Sequence, residues 1–322
     1  MSPQQDATGW TTAQWHAMGT QVALTIHLPA QSAAEATKHV RAVFVNLEQR
    51  LSRFLDMSEL SRLNRQCGQW VTVSRELAEV LHLSAEAFAQ TAGVFDPRVL
   101  KSLDRLGYVG AQIKSDGVKD AVLSQVDRWL VFREYDTVQI IEPIDLGGIG
   151  KGYALDVCAR YLRGVTDHFL LSAGGDIVYK GQGPEGAWRV GVEWPFATTE
   201  LAAVWALPVS PQGAICTSAD SKRFWMDASG TRRHHLIDPS TGLSGGCGLR
   251  SVTVLSADSA VQAEVWSKTL YLRGLRARTA ACPIPTLAIS EDGELLVTPE
   301  AQSSILWSLA PLVTWTEKEA CR

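Results

Sequence analysis

From Trp15 to Leu28 apolar and polar residues alternate, which predicts a strand with a turn at Met18-Gly19-Thr20. The period then lengthens. Ala36, Val40, Val43, Leu47 and Leu51 recur at helical spacing, so a helix is expected from about Ser32, read as its N-cap, to Leu51. Leu77, Val80, Leu81, Ala85 and Phe88 repeat the spacing in a second helix, about Ser74 to Thr91, which Gly93 closes. Val122 to Ile141 reads as short strands, and Lys151 to Tyr161 as a helix after the Gly147-Gly148 turn. Strands are expected at Phe169 to Leu171, Ile177 to Gly181, Trp188 to Glu193, Leu201 to Val209, Ile215 to Ser218 and Ser251 to Leu255. Ser259 to Tyr271 is helical in pattern, and Thr286 to Ser290 with Leu295 to Val297 forms a hairpin around Asp292-Gly293.

Strands and helices mix without a regular βαβ alternation, so a mixed α+β fold is expected in place of a doubly wound sheet. No repeat, low-complexity tract or linker interrupts the sequence, and residues 1–322 are read as a single domain. With 46% hydrophobic residues the chain can bury a core without a disulfide or metal staple. A formal net charge of −4 and the lack of any Lys/Arg block argue against nucleic acid as a partner. No apolar run approaches the roughly 18 residues of a membrane span. Met1 to Ala17 is polar and lacks the features of a signal peptide, so a cytoplasmic location is expected. Cys67, Cys158, Cys216, Cys247, Cys282 and Cys321 are scattered, without a C-x-x-C pair, which suits reduced thiols better than a disulfide framework or a zinc site.

Five segments could carry chemistry. In Asp145-Leu-Gly-Gly-Ile-Gly-Lys-Gly-Tyr-Ala-Leu-Asp156 the glycines let backbone N–H groups approach a ligand where a helix begins, which suits phosphate or, equally, a tight structural turn. Ser172-Ala-Gly-Gly-Asp176 is a second place of close backbone approach, or a plain strand end. His234-His235-Leu-Ile-Asp238-Pro239-Ser240-Thr241-Gly242 joins imidazole, carboxylate and hydroxyl: a proton acceptor oriented by an acid, or a loop. Ala214 to Asp220 reads as a strand end, and nothing beside Cys216 would activate it as a nucleophile. Ala263 to Leu270 sets Glu264 and Lys268 four apart on one helix face.

In their order and wording these segments resemble the ApbE family of FAD:protein FMN transferases. The resemblance runs from Met18-Gly19-Thr20 through Leu51 to Asn64, Phe95-Asp96-Pro97, Asp145 to Asp156, Ser172 to Asp176 and Cys216 to Asp220, and ends at His235 to Gly242 and Ser251 to Gly274. It implies the family's α+β, T-fold-like architecture, FAD as substrate, and transfer of FMN to a Thr or Ser hydroxyl of an acceptor protein with release of AMP. It also implies Met18 and Phe54 near the adenine, Lys151 and Ala173, Gly174, Gly175 and Asp176 around the FAD, and His235 with Asp238 as the catalytic pair.

One position departs from that pattern. Where relatives carry Ala-Asp-x-x-x-Thr and hold Mg²⁺, this chain has Glu264 and Lys268. Glu264 could still bind a hard cation, whereas an ammonium has no acceptor and repels one. Thr269 cannot stand in, since one residue turns a helical side chain by about 100°. Either the metal is lost and the two residues form an ion pair, or Lys268 takes the cation's place at the diphosphate with Glu264 holding it. The departure leaves open two alternatives to transfer: an FAD-binding protein that has lost it, and an FAD pyrophosphatase.

Overall fold

The computed structural model describes residues 4–108, 129–197, 199–227, 229–246, 248–274 and 284–315; the part of the Val122 to Ile141 prediction before residue 129 lies outside them. The chain groups into two units, Met1–Phe44, Lys151–Ser221, Cys247–Arg322 and Val45–Gly150, Lys222–Gly246.

In the first unit, the alternating segments pair into a 10-stranded sheet among the described residues. Its strands are Gln4–Gln5, Trp10–Ala17, Thr20–His27, Phe169–Ala173, Asp176–Lys180, Gly213–Ala219, Leu249–Ser256, Thr286–Ser290, Leu295–Val297 and Leu312–Thr314, lying side by side in chain order. Every pair is antiparallel except Leu295–Val297 with Leu312–Thr314. Met18 and Gly19 make the first tight turn, both with positive φ, 50° and 66°. Asp292-Gly293 makes the last, with Gly293 at φ 81°. Leu249–Ser256 is buried along almost its whole length, as a strand with neighbours on both edges and a covered face should be.

The helix Ala260–Arg273 covers the strands Gly213–Ala219 and Leu249–Ser256. Its sequence is apolar or small nearly all round, and most of its residues are buried. On the other side Trp205, Trp188 and Ala203 join Leu287, Ile289 and Val297 in one core. They come from, or adjoin, a smaller antiparallel sheet of Arg189–Glu193, Leu201–Ala206 and Ile305–Ser308.

In the second unit, the helix Arg75–Gln90 begins at Ser74, whose hydroxyl accepts the Leu77 N–H at 3.3 Å, and Gly93 follows its end with φ 79°. Short strands Val71–Thr72, Thr137–Ile140 and Leu130–Phe132 form a three-stranded sheet. The helices Glu59–Asn64 and Leu100–Arg105 and two small hairpins complete it. One boundary differs from expectation. The helix Ala30–Leu51 already starts two residues before Ser32, because the Pro29 carbonyl accepts the Ala33 N–H at 2.9 Å; Ser32 sits in the first turn and is not the cap. Among the described residues no helix is long and apolar enough to cross a membrane.

Candidate functional site

The chemistry-bearing residues of the first unit meet at one end of the large sheet. The helix Gly150–Arg163 leaves the glycine turn with Lys151 in its first turn. Its ammonium lies 2.5 Å from Asp176 Oδ2 and 2.6 Å from Glu264 Oε1, with the side chain 14% exposed. Burial alone would push this lysine's pKa down, but Asp176 and then Glu264 outweigh it and hold the ammonium protonated well above the ordinary range. Asp176 also accepts the Thr217 N–H at 3.1 Å.

Glu264 is the most enclosed member of the group, 1% exposed. Its Oε1 takes both Lys151 and Lys268, the latter at 3.2 Å, and its Oε2 takes the Gly152 N–H at 2.8 Å. Burial would raise its pKa; Lys151 and then Lys268 pull it down instead, to about 2. Gly152 allows this approach, since a Cβ there would sit 2.8 Å from the Ala260 carbonyl oxygen. The same helix ends are tied again where Asp156 accepts the N–H groups of Ala260 and Val261, at 2.8 and 3.0 Å.

The turn Ala173–Asp176 closes the strand pair beside them. Gly174 has φ 66° and its N–H donates to the Gln21 carbonyl at 3.0 Å, which sets this turn against the Met18-Gly19 turn. A Cβ on Gly174 would strike Thr20 Oγ1 at 2.5 Å, whereas at Gly175, φ 98°, the space is open. Met18, Ala173, Gly174, Gly175, Asp176, Lys151, Glu264 and Lys268 thus share one end of one unit. Cys216 lies beneath it, fully buried, its thiol pKa pushed well up by burial, so it is no nucleophile. Thr269 is turned into the core, its hydroxyl donating to the Val265 carbonyl at 2.8 Å.

The donor set at Glu264 does not suit a divalent cation. Both carboxylate oxygens are engaged by N–H donors, two of them on ammonium groups, and Mg²⁺ would face that positive charge at short range. Among the described residues no cluster of three or more His, Cys, Asp and Glu offers another place for a metal.

The second unit holds the remaining residues. Phe54, 52% exposed, meets the Tyr108 ring edge-on at 5.7 Å, and Tyr108 stacks on Trp225 at 5.0 Å and 16°. The buried Arg53 guanidinium lies over both Phe54 and Tyr108, at 4.5 and 5.1 Å. Arg53 is held by Asp145 at 2.6 Å, Asp104 at 3.1 Å and the Tyr108 carbonyl at 2.7 Å. The sequence pointed to Phe54 alone. Tyr108 and Trp225 were hidden by their distance along the chain, whereas Arg53, beside Phe54 in the turn after the helix Ala30–Leu51, was not singled out.

His235 is half-buried, with Nδ1 3.4 Å from the Arg223 carbonyl oxygen. Asp238 accepts the Ser240 N–H at 2.8 Å and the Ser240 hydroxyl at 2.7 Å, so its carboxylate closes the Pro239–Gly242 turn. The acid therefore shapes the loop that follows the imidazole.

The fold is similar to that of an ApbE protein from Thermotoga maritima, with a TM-score of 0.80 at 22% identity, covering 92% of this chain and 99% of that one. It is similar also to the flavin transferase ApbE from Vibrio cholerae, with a TM-score of 0.76 at 24% identity over 92% and 99%. Among curated sequences, an FAD:protein FMN transferase of Escherichia coli K12 is 29% identical over 285 residues, 83% of this chain and 80% of that one. One from Klebsiella pneumoniae is 27% identical over 259 residues, 76% and 79%. The ApbE family model matches residues 18–284, a span that takes in each of the segments described above, and the chain belongs to the ApbE family.

Proposed function

We propose that this chain is an FAD:protein FMN transferase. FAD is the donor; a Thr or Ser hydroxyl of an acceptor protein attacks the phosphorus of the FMN half, the bond from that phosphorus to the bridging oxygen breaks, and AMP leaves. The observation that carries this reading is the match to curated relatives of that name, over 76% and 83% of this chain. Because the family match runs from 18 to 284 through segments of both units, we read residues 1–322 as one flavin transferase domain.

Such a reaction needs positioning and charge neutralisation more than covalent help. We assign Lys151, Lys268 and the Ala173-Gly174-Gly175-Asp176 turn to the FAD diphosphate, and Met18 and Phe54 to its adenine. The exposed ring of Phe54 supports the last, since a base stacks on such a face. His235 accepts the acceptor's proton. Its Nδ1 lies 3.4 Å from the Arg223 carbonyl oxygen, an acceptor that favours the proton on that nitrogen. Asp238 sets the turn that follows His235.

Mass spectrometry of a Thr/Ser-bearing acceptor domain incubated with the protein and FAD tests the proposal. A gain of one FMN on the acceptor is expected, and an unchanged acceptor mass contradicts it. His235→Ala should slow transfer by about 10²–10⁴ while FAD affinity stays within a few-fold.

A further inference from the structure

We infer that the two-lysine site around Glu264 binds a diphosphate without a divalent cation, the Lys268 ammonium supplying the charge that a metal would bring. The inference rests on the reading of the chain as an FAD-using enzyme. It starts from Glu264, whose two oxygens accept three N–H donors in a pocket where the side chain is 1% exposed. A magnesium ion needs an oxygen at about 2.0–2.1 Å. To gain one here it would have to displace Lys151, Lys268 or the Gly152 N–H and leave a positive charge beside itself.

The two lysines are not equivalent. Lys151 is pinned between Asp176 and Glu264 at 2.5 and 2.6 Å, and Asp176 is pinned in turn by Thr217. Lys268 has a single polar partner among the described residues, Glu264 at 3.2 Å, and its side chain is 15% exposed. An ammonium has three donors, so the remaining ones are available to an anion. The four-residue step along the helix puts Lys268 on the same side as Glu264, while Thr269 faces the core. Open space at Gly175, next to Asp176, leaves the backbone of that turn approachable. The two ammoniums also balance the Asp176 and Glu264 carboxylates, so an incoming diphosphate meets no uncompensated negative charge.

The test is FAD binding to the purified full-length protein, followed by flavin fluorescence, in EDTA and in excess Mg²⁺. The same affinity within about twofold is expected in both, and Lys268→Ala should weaken it by about tenfold or more, the size of one charge-assisted hydrogen bond. The double variant Glu264→Asp/Lys268→Thr should bind FAD more tightly with Mg²⁺ than with EDTA. A tenfold or greater tightening by Mg²⁺ in the unaltered protein overturns the inference, and that comparison needs no variant to fold. Unchanged affinity in a folded Lys268→Ala protein also overturns it. Loss of FAD binding in both EDTA and Mg²⁺ would instead bring down the functional reading itself.

Discussion

Glu264, buried, and Asp156, half-buried, are two carboxylates with opposite pH behaviour. Glu264 sits against two ammoniums, and its pKa in the folded chain lies below the ordinary 4.5, near 2. Its contribution is fully present above about pH 4.5 and is lost as pH falls toward 2. Glu264→Gln, which leaves buried ammonium groups without a counter-charge, should lower unfolding stability by about 3–5 kcal/mol at pH 7. Urea unfolding checks this, and the gap to the unaltered protein should narrow below pH 4.5. Asp156 is raised to about 6, because burial outweighs the N–H groups of Val261 and Ala260. The folded chain therefore binds its proton more tightly than the unfolded one, and this group's contribution falls as pH rises from 3.8 through about 6. Asp156→Asn should flatten that fall, by an amount on the order of 2 kcal/mol between pH 4 and 7. The sequence pointed to Lys151 and Glu264 as ligand-facing residues. It could not show that they touch each other, because they are 113 positions apart and only the sheet brings them together.

Helix ends decide how closely those groups approach. Gly152 lies against the Ala260 backbone, so Gly152→Ala should cost about 1–3 kcal/mol in urea unfolding through overpacking. A cost near zero would show that the crossing can relax. Helices were expected to begin at about Ser74 and at Ser259, each a hydroxyl directly before an apolar-periodic run, and in the structure each hydroxyl caps its helix by accepting an N–H three residues on. Ser32 carried the same signal and failed, since Pro29 had already opened the helix. The aromatic group of Phe54, Tyr108 and Trp225 was mostly illegible, since its rings come from segments without a shared period. If that group receives the adenine, Tyr108→Ala should weaken FAD binding by about tenfold, read by fluorescence titration.

Across the molecule, strand alternation and the lack of a βαβ rhythm were enough to anticipate a mixed α+β fold. The large sheet keeps chain order, and most of its strands lie within a few residues of their expected bounds. What the pattern could not supply was the grouping of contacts into two units, because the second is assembled from two stretches separated by 71 residues, Lys151 to Ser221. The family match runs from residue 18 to residue 284, and the proposed reaction is assigned to segments along that span. It is tested most directly by following AMP release from FAD with and without an acceptor domain. The transferase reading predicts AMP mole for mole with FMN attached to the acceptor, and almost none in its absence. Equal AMP in both reactions, accompanied by free FMN, would contradict it.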